Sequence, residues 1–497
     1  MKNKTLLLTC LLAASALRAD AQNFFTWNTA VTNGLWNDTT NWVDGVVPNE
    51  VDAVVFFDNT ATTAVSLNGF TATVGELSFA NTITIGSTTN SDDFLNLDST
   101  AGQPIVRVAA NNAFMYGELT GTNGFRKEGP GRFTFRFNPN NQNYTGDITL
   151  AGGILGINQD GSLGDTNNDL VVEATSTLQI EPGNNTSAVS LDAGRDISIA
   201  SGTTLTINNG AAAVAGTVNG AISGDGNLTF GGTGSLILNG ANTYAGATTV
   251  NSPGFGGSAT NTNVVTRSNL LSFAGAGALP LATALNLSFG SASAVNSSST
   301  INVDLGGGAL APSLLTIGNN TNTTSTNSLM AYDISKGSLT YSDPFGALNF
   351  SARGAGNVTN ELRLPATTIL SYASLSIGTV GASQNAMINS RVLVGSNATL
   401  NANQFTLGAY RASGSVEART AGSSLKIRGT DGTSPVTNIL IGNFSGGPNP
   451  VSSINMSNGS IDLAATTIEI AKNVANNSGA NGSLQFGGGS ASSQTLV

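Results

Sequence analysis

Apolar–x–apolar triplets recur along the whole chain. Leu77-Ser78-Phe79, Ile83-Thr84-Ile85 and Leu95-Asn96-Leu97 are early examples. Leu178-Gln179-Ile180, Ile197-Ser198-Ile199, Leu205-Thr206-Ile207, Leu228-Thr229-Phe230 and Leu236-Ile237-Leu238 follow. A period of two places both apolar residues of a triplet on one strand face. Gly, Asn, Asp and Ser fill the gaps, residue types suited to turns. No amphipathic helical stretch of convincing length interrupts the pattern, which predicts many short strands.

Two stretches repeat one another. Gly117 to Phe135 aligns with Gly220 to Leu238 at an offset of 103. Gly121 falls on Gly224, Phe125 on Leu228, Gly129 and Gly131 on Gly232 and Gly234, Phe133 and Phe135 on Leu236 and Leu238. After a three-residue shift, Tyr144-Thr145-Gly146 meets Tyr244-Ala245-Gly246. Turn glycines and inward apolar positions are what a stacked repeat must keep.

The second half carries a different period. Leu315-Thr316-Ile317-Gly318, Leu375-Ser376-Ile377-Gly378, Phe405-Thr406-Leu407-Gly408, Ile439-Leu440-Ile441-Gly442 and Ile468-Glu469-Ile470-Ala471 are spaced by 60, 30, 34 and 29 residues. Leu348-Asn349-Phe350-Ser351 fills the first gap imperfectly. A step of about 30 residues belongs to solenoids and arrays. The fold expected is all-β: a right-handed parallel β-helix with an N-terminal aromatic-rich cap. Tandem β-sandwiches are the alternative, with longer strands and more varied loops.

Gly224-Asp225-Gly226-Asn227-Leu228-Thr229, Gly232-Thr233-Gly234-Ser235-Leu236-Ile237-Leu238 and Gly240 to Val250, with its Asn242-Thr243-Tyr244-Ala245-Gly246 core, resemble the autotransporter-associated β-strand repeat family. The first copy has Gln142-Asn143-Tyr144-Thr145-Gly146 in place of that core, and Gly161-Ser162-Leu163-Gly164-Asp165 resembles a further family loop. Trp27, Gly34-Leu35-Trp36, Asn41-Trp42, Gly45, Pro48, Asp52 and Phe56-Phe57-Asp58 are similar to the start of such proteins. The resemblance covers about the first 250 residues. It implies a β-helical passenger exported across a bacterial envelope and held extracellularly or at the cell surface or outer membrane.

Composition narrows this reading. The chain has 497 residues, 61 of them Gly, and only 10% are charged. With 19 Lys+Arg against 29 Asp+Glu it carries no basic footprint, so no nucleic-acid partner is expected. At 40% hydrophobic it can bury a core. Lys2 and Lys4, the apolar Leu6–Leu17 run and Ala19-Asp20-Ala21 form a secretory leader over 1–21, cleaved before Gln22. Cys10, the one cysteine, leaves with it, so the mature chain relies on no disulfide. The organisation expected is a cap module over 22–102, a β-helix with both family repeats over 103–262, and further coils over 263–497. Leu484-Gln485-Phe486 reads as an interior strand and Gly487–Val497 offers little apolar bulk. The expectation is therefore that the C-terminal end is incomplete, or that its uncapped coil self-associates.

The chain has no histidine, which removes Ser-His triads and most zinc or copper sites. The acidic residues are scattered, with no carboxylate pair on one strand face. No catalytic residue, metal ligand or cofactor is therefore assigned. Asp165-Thr166-Asn167-Asn168-Asp169 begins like a calcium loop but lacks the following glycine, which favours a turn. Glu118, Arg126, Lys127, Glu128, Arg132 and Arg136 form the densest charge, read as a solvated face with cross-strand pairs rather than a site for an acidic glycan. Trp27, Trp36 and Trp42 offer two readings, a platform for sugar rings or the cover that a solenoid's first coil needs. The function expected is a non-enzymatic surface or extracellular structural or adhesive module, its partners glycans or envelope components. The alternatives are a carbohydrate-binding or polysaccharide-cleaving β-helix, or the passenger fragment of a larger autotransporter.

Overall fold

The computed structural model describes residues 23–86, 93–136, 142–181, 188–210, 214–252, 266–275, 277–280, 283–289, 298–318, 328–351, 358–379, 388–409, 412–444, 451–473 and 481–485. The leader read at 1–21 and the tail from Phe486 onward lie outside these. The chain forms two compact units, one of residues 1–184 and 191–203, the other of 185–190 and 204–497. The first repeat copy belongs to the first unit and the second copy to the second unit. Among the described residues no helix is long and apolar enough to cross a membrane.

The first unit is a stack of short parallel strands on three faces. One face runs through Phe24–Thr26, Val54–Phe57, Glu76–Phe79, Ile105–Val108, Phe125–Glu128, Ile148–Ala151, Leu170–Val172 and Ile197–Ile199. The next runs from Asn33–Leu35 through Thr63–Ser66, Ile83–Ile85, Asn112–Met115, Arg132–Phe135 and Gly153–Ile157 to Ser176–Ile180. The third holds Thr71–Val74, Phe94–Leu97, Glu118–Gly121 and Asn143–Tyr144. Each strand pairs in parallel with the strand one coil later, as from Ile105 to Arg126 or from Phe24 to Val54. Backbone donors and acceptors are thus satisfied between coils rather than within them.

Parallel register stacks like positions. Phe25, Val55, Leu77, Val106, Lys127, Leu150, Val172 and Ile199 form one inward column, all apolar except Lys127. This is the arrangement expected of a parallel β-helix, in which each coil buries its apolar alternates on its neighbours. Phe133, Phe135, Leu236 and Leu238 are all buried, as the repeat alignment requires. The aligned glycines share their backbone too: Gly121 and Gly224, and Gly129 and Gly232, all have positive φ.

The second unit is built in the same way. Ser235–Leu238, Thr266–Phe273, Ser298–Asp304, Ser328–Ser335, Val358–Arg363, Ile388–Val394, Ala412–Ala418, Val451–Asn455 and Asn481–Gln485 follow one another in one parallel sheet. On another face Ser338–Phe350, Thr367–Thr379 and Asn397–Ala409 are 13-residue strands, the pairing of the first two shifting register between Asp343 and Ala347. The period of about 30 residues is the coil length. Leu348, Leu375, Phe405, Ile439 and Ile468 are successive register partners. The Leu348 segment is thus a full member of the column. Leu315–Ile317 departs from it, pairing with Leu285–Leu287 in a different sheet.

Candidate functional site

The three tryptophans are placed by the first coil. Trp27 and Trp42 form an antiparallel bridge, and all three rings gather on Phe57, with centroids 5.8, 6.0 and 6.1 Å away. Trp27 and Trp36 are 0% exposed and Trp42 is 3% exposed. Their indole N–H groups donate to the carbonyls of Val31, Pro48 and Trp36 at 2.9, 3.0 and 2.7 Å. Buried rings with satisfied polar tips close an apolar core, and they leave no face on which a sugar could stack. The structure thus buries Trp27, Trp36 and Trp42 together in the apolar core at the first coil.

Each repeat copy builds the same polar node. In the first, the Gln142 side-chain oxygen accepts the Leu119 N–H at 2.5 Å, and the Gln142 N–H donates to the Gly161 carbonyl at 2.8 Å. In the second, Asn242 accepts from the Ile222 N–H at 2.9 Å, and its own N–H donates to the Gly277 carbonyl at 3.2 Å. Leu119 and Ile222 are equivalent at the offset of 103. The tyrosine two residues on is buried in both. Tyr144 donates its hydroxyl to the Ser162 carbonyl at 3.2 Å, and Tyr244 shares a 2.7 Å bond with Thr248. Desolvation pushes both phenols far above their ordinary range, so neither is a proton donor or acceptor near neutral pH. The following glycine is required by close approach. A Cβ on Gly246 would lie 2.1 Å from the Gly226 carbonyl oxygen, and one on Gly146 2.6 Å from the Gly124 nitrogen.

Around the first node sequence reading missed a buried cation. Arg195 is fully buried. It donates to Asp160 at 3.1 Å and to the carbonyls of Leu163 and Asn168 at 3.1 and 2.6 Å. The loop read as a calcium candidate closes on itself here. The Asp165 carboxylate accepts from the backbone and side-chain N–H groups of Asn167 at 2.9 and 2.8 Å, which holds its pKa below the usual range. Asn168 turns inward and donates to the Tyr144 and Leu163 carbonyls. Among the described residues no group of three or more Asp, Glu, Cys or His gathers as metal ligands would.

Most of the dense charge is taken up in ion pairs, within a strand or across coils. Arg107 contacts Glu76 at 3.1 Å and Glu128 at 2.6 Å; Arg126 contacts Glu128 at 2.8 Å and Glu173 at 2.5 Å. Glu181 takes Arg132 and Arg136. The second unit has a similar chain, in which Glu361 bridges Arg391 and Arg363, and Asp333 bridges Arg363 and Arg419. Lys127 is the exception. It points inward, is 0% exposed, and donates to the carbonyls of Glu128, Gly129 and Gly152 at 2.9, 2.9 and 3.3 Å. Burial pulls its pKa down to about 8, although the charge of Glu128 opposes the shift. Several of these cations tie one coil to another.

Residues 125–157 and 228–252 match the family model of the passenger-associated-transport-repeat. The two matches begin at Phe125 and Leu228, residues equivalent at the offset of 103, and each contains the buried tyrosine and its glycine. The chain therefore carries two passenger-type repeats. No curated protein and no solved structure matches it.

Proposed function

We propose that this chain is a passenger-type module exported across a bacterial envelope, and that its work at the surface or outside the cell is structural or adhesive rather than catalytic. The observation that carries the reading is the folding of both passenger repeats into parallel coil stacks, through one shared Gln/Asn–Tyr–Gly node. The chemistry supports it. Many charged side chains on the described strands pair with opposite charges, several on neighbouring coils, and Asp165 and Asp431 close their own turns. A catalytic reading needs convergent groups aimed at a common point.

The test is expression of the full chain with its leader in a Gram-negative host. The expected product lies outside the inner membrane, begins at Gln22 and releases no sugar from polysaccharides. Retention in the cytoplasm with Met1 intact would overturn export. Sugar release by the pure protein would overturn the non-catalytic reading.

A further inference from the structure

Most inward positions of the second unit are apolar, and several buried polar side chains interrupt them, some paired, as Asn401 donates to Ser371 at 2.9 Å. Ser299, Met330, Asn360, Ser390 and Gly414 are successive register partners, and the Gly414 N–H donates to the Ser452 hydroxyl oxygen at 3.1 Å. In the adjoining column Asn269 stands where later coils carry Ile301, Tyr332, Leu362 and Val392. Asn269, Ser299, Asn360 and Ser390 are each 2% exposed or less. Both side-chain polar atoms of Asn269 and Asn360, and the hydroxyls of Ser299 and Ser390, have no hydrogen-bond partner.

Six such atoms in one core are not tolerable dry. A buried polar group without a partner pays its full desolvation cost, and folded chains are only marginally stable. An amide ladder between coils would satisfy stacked asparagines, but the column offers none. Asn360 has Met330 on one side and Ser390 on the other. Nor does a cation fit, because the four side chains supply amides and hydroxyls and no carboxylate.

We infer that the core of the second unit holds two buried-water sites, one between Asn360 and Ser390, the other between Asn269 and Ser299. Asn360 and Ser390 are direct partners on adjacent coils, about 4.8 Å apart along the stack. Together they present one amide donor, one amide acceptor and one hydroxyl, within the two to four partners that a buried water takes. Asn269 and Ser299 present the same set from adjacent coils, two residues apart in register. Polar residues at these inward positions are thereby explained without a ligand from outside.

The test is a high-resolution crystal structure of the full mature chain, with thermal unfolding of the parent, Asn360→Leu and Ser390→Ala. The expected result is discrete water density within hydrogen-bond distance of Asn360 and Ser390. The unfolding midpoints of both variants should be no higher than the parent's. Dry density, with the amides turned to bond protein atoms, overturns the inference. So does a raised midpoint in either variant, because removing a dry orphan relieves a penalty, whereas removing a hydrated one does not. The parent density alone decides the matter should a variant fail to fold.

Discussion

Lys127 shows how register, more than residue type, decides a side chain's place. Its neighbours Arg126 and Glu128 face out and pair, so the run looks like a solvated strand in sequence. Yet Phe125 is inward, and a period of two carries Lys127 inward with it. Its amine then reaches three carbonyls at the turn beyond. At pH 7 that amine is protonated in both folded and unfolded chains. Between about 8 and 10.5 the unfolded chain keeps a proton that the folded chain has released, so stability rises with pH across that window. The gain is up to about 3 kcal/mol. Denaturant titrations at pH 7 and pH 10 should show the rise in the parent and not in Lys127→Met. Leu236 is the plainer case, since its alternation predicts an inward side chain and the structure buries it completely. Leu236→Asp places an unpaired charge among aliphatic side chains and should cost more than about 4 kcal/mol. Circular dichroism during thermal unfolding would read this as loss of the folded population at ambient temperature.

At the scale of the element, the coil repeat was legible because stacking forces equivalent positions to recur. The offset of 103 found the turn glycines and the inward Phe and Leu pairs. The period of about 30 found Leu375, Phe405, Ile439 and Ile468 as one column. It misplaced Leu315, because an apolar–x–apolar triplet fits any inward face and does not say which. The second copy's counterpart to the Gly161 loop, where Gly277 accepts the Asn242 N–H, was hidden because only backbone geometry is shared there. The tryptophan cluster was half legible. Three large rings near the first coil were visible in sequence, but their burial on Phe57 was not. Glycines differ by what they touch. Gly202 has φ of 75° and open space around its Cα, so Gly202→Ala should cost about 1 kcal/mol of left-handed strain. Gly246→Ala drives a methyl into the Gly226 carbonyl of the preceding coil and should cost more than about 2 kcal/mol. Thermal unfolding of the two variants side by side checks that order; equal losses would show that coil approach does not set the role of Gly246.

At the scale of the molecule, the account is that passenger-type repeats and their flanking segments fold as parallel coils, each buried on the one before. The low charge follows from this. A stack hides two of every four strand positions and stitches its few cations to carboxylates on neighbouring coils, as in the chain Glu76–Arg107–Glu128–Arg126–Glu173. The most direct measurement is a pair of spin-label distances along one outward column of the second unit. Asn349, Ser376, Thr406, Leu440 and Glu469 are successive register partners on five coils. With Cys10 replaced, labels would be attached at Asn349→Cys and either Leu440→Cys or Glu469→Cys. Electron–electron resonance should give narrow distributions, the second pair near 19 Å between backbones and longer than the first by about 5 Å, one coil spacing. Broad distributions, or a change between the pairs unrelated to one coil spacing, would contradict the stack and favour separately folded sandwiches.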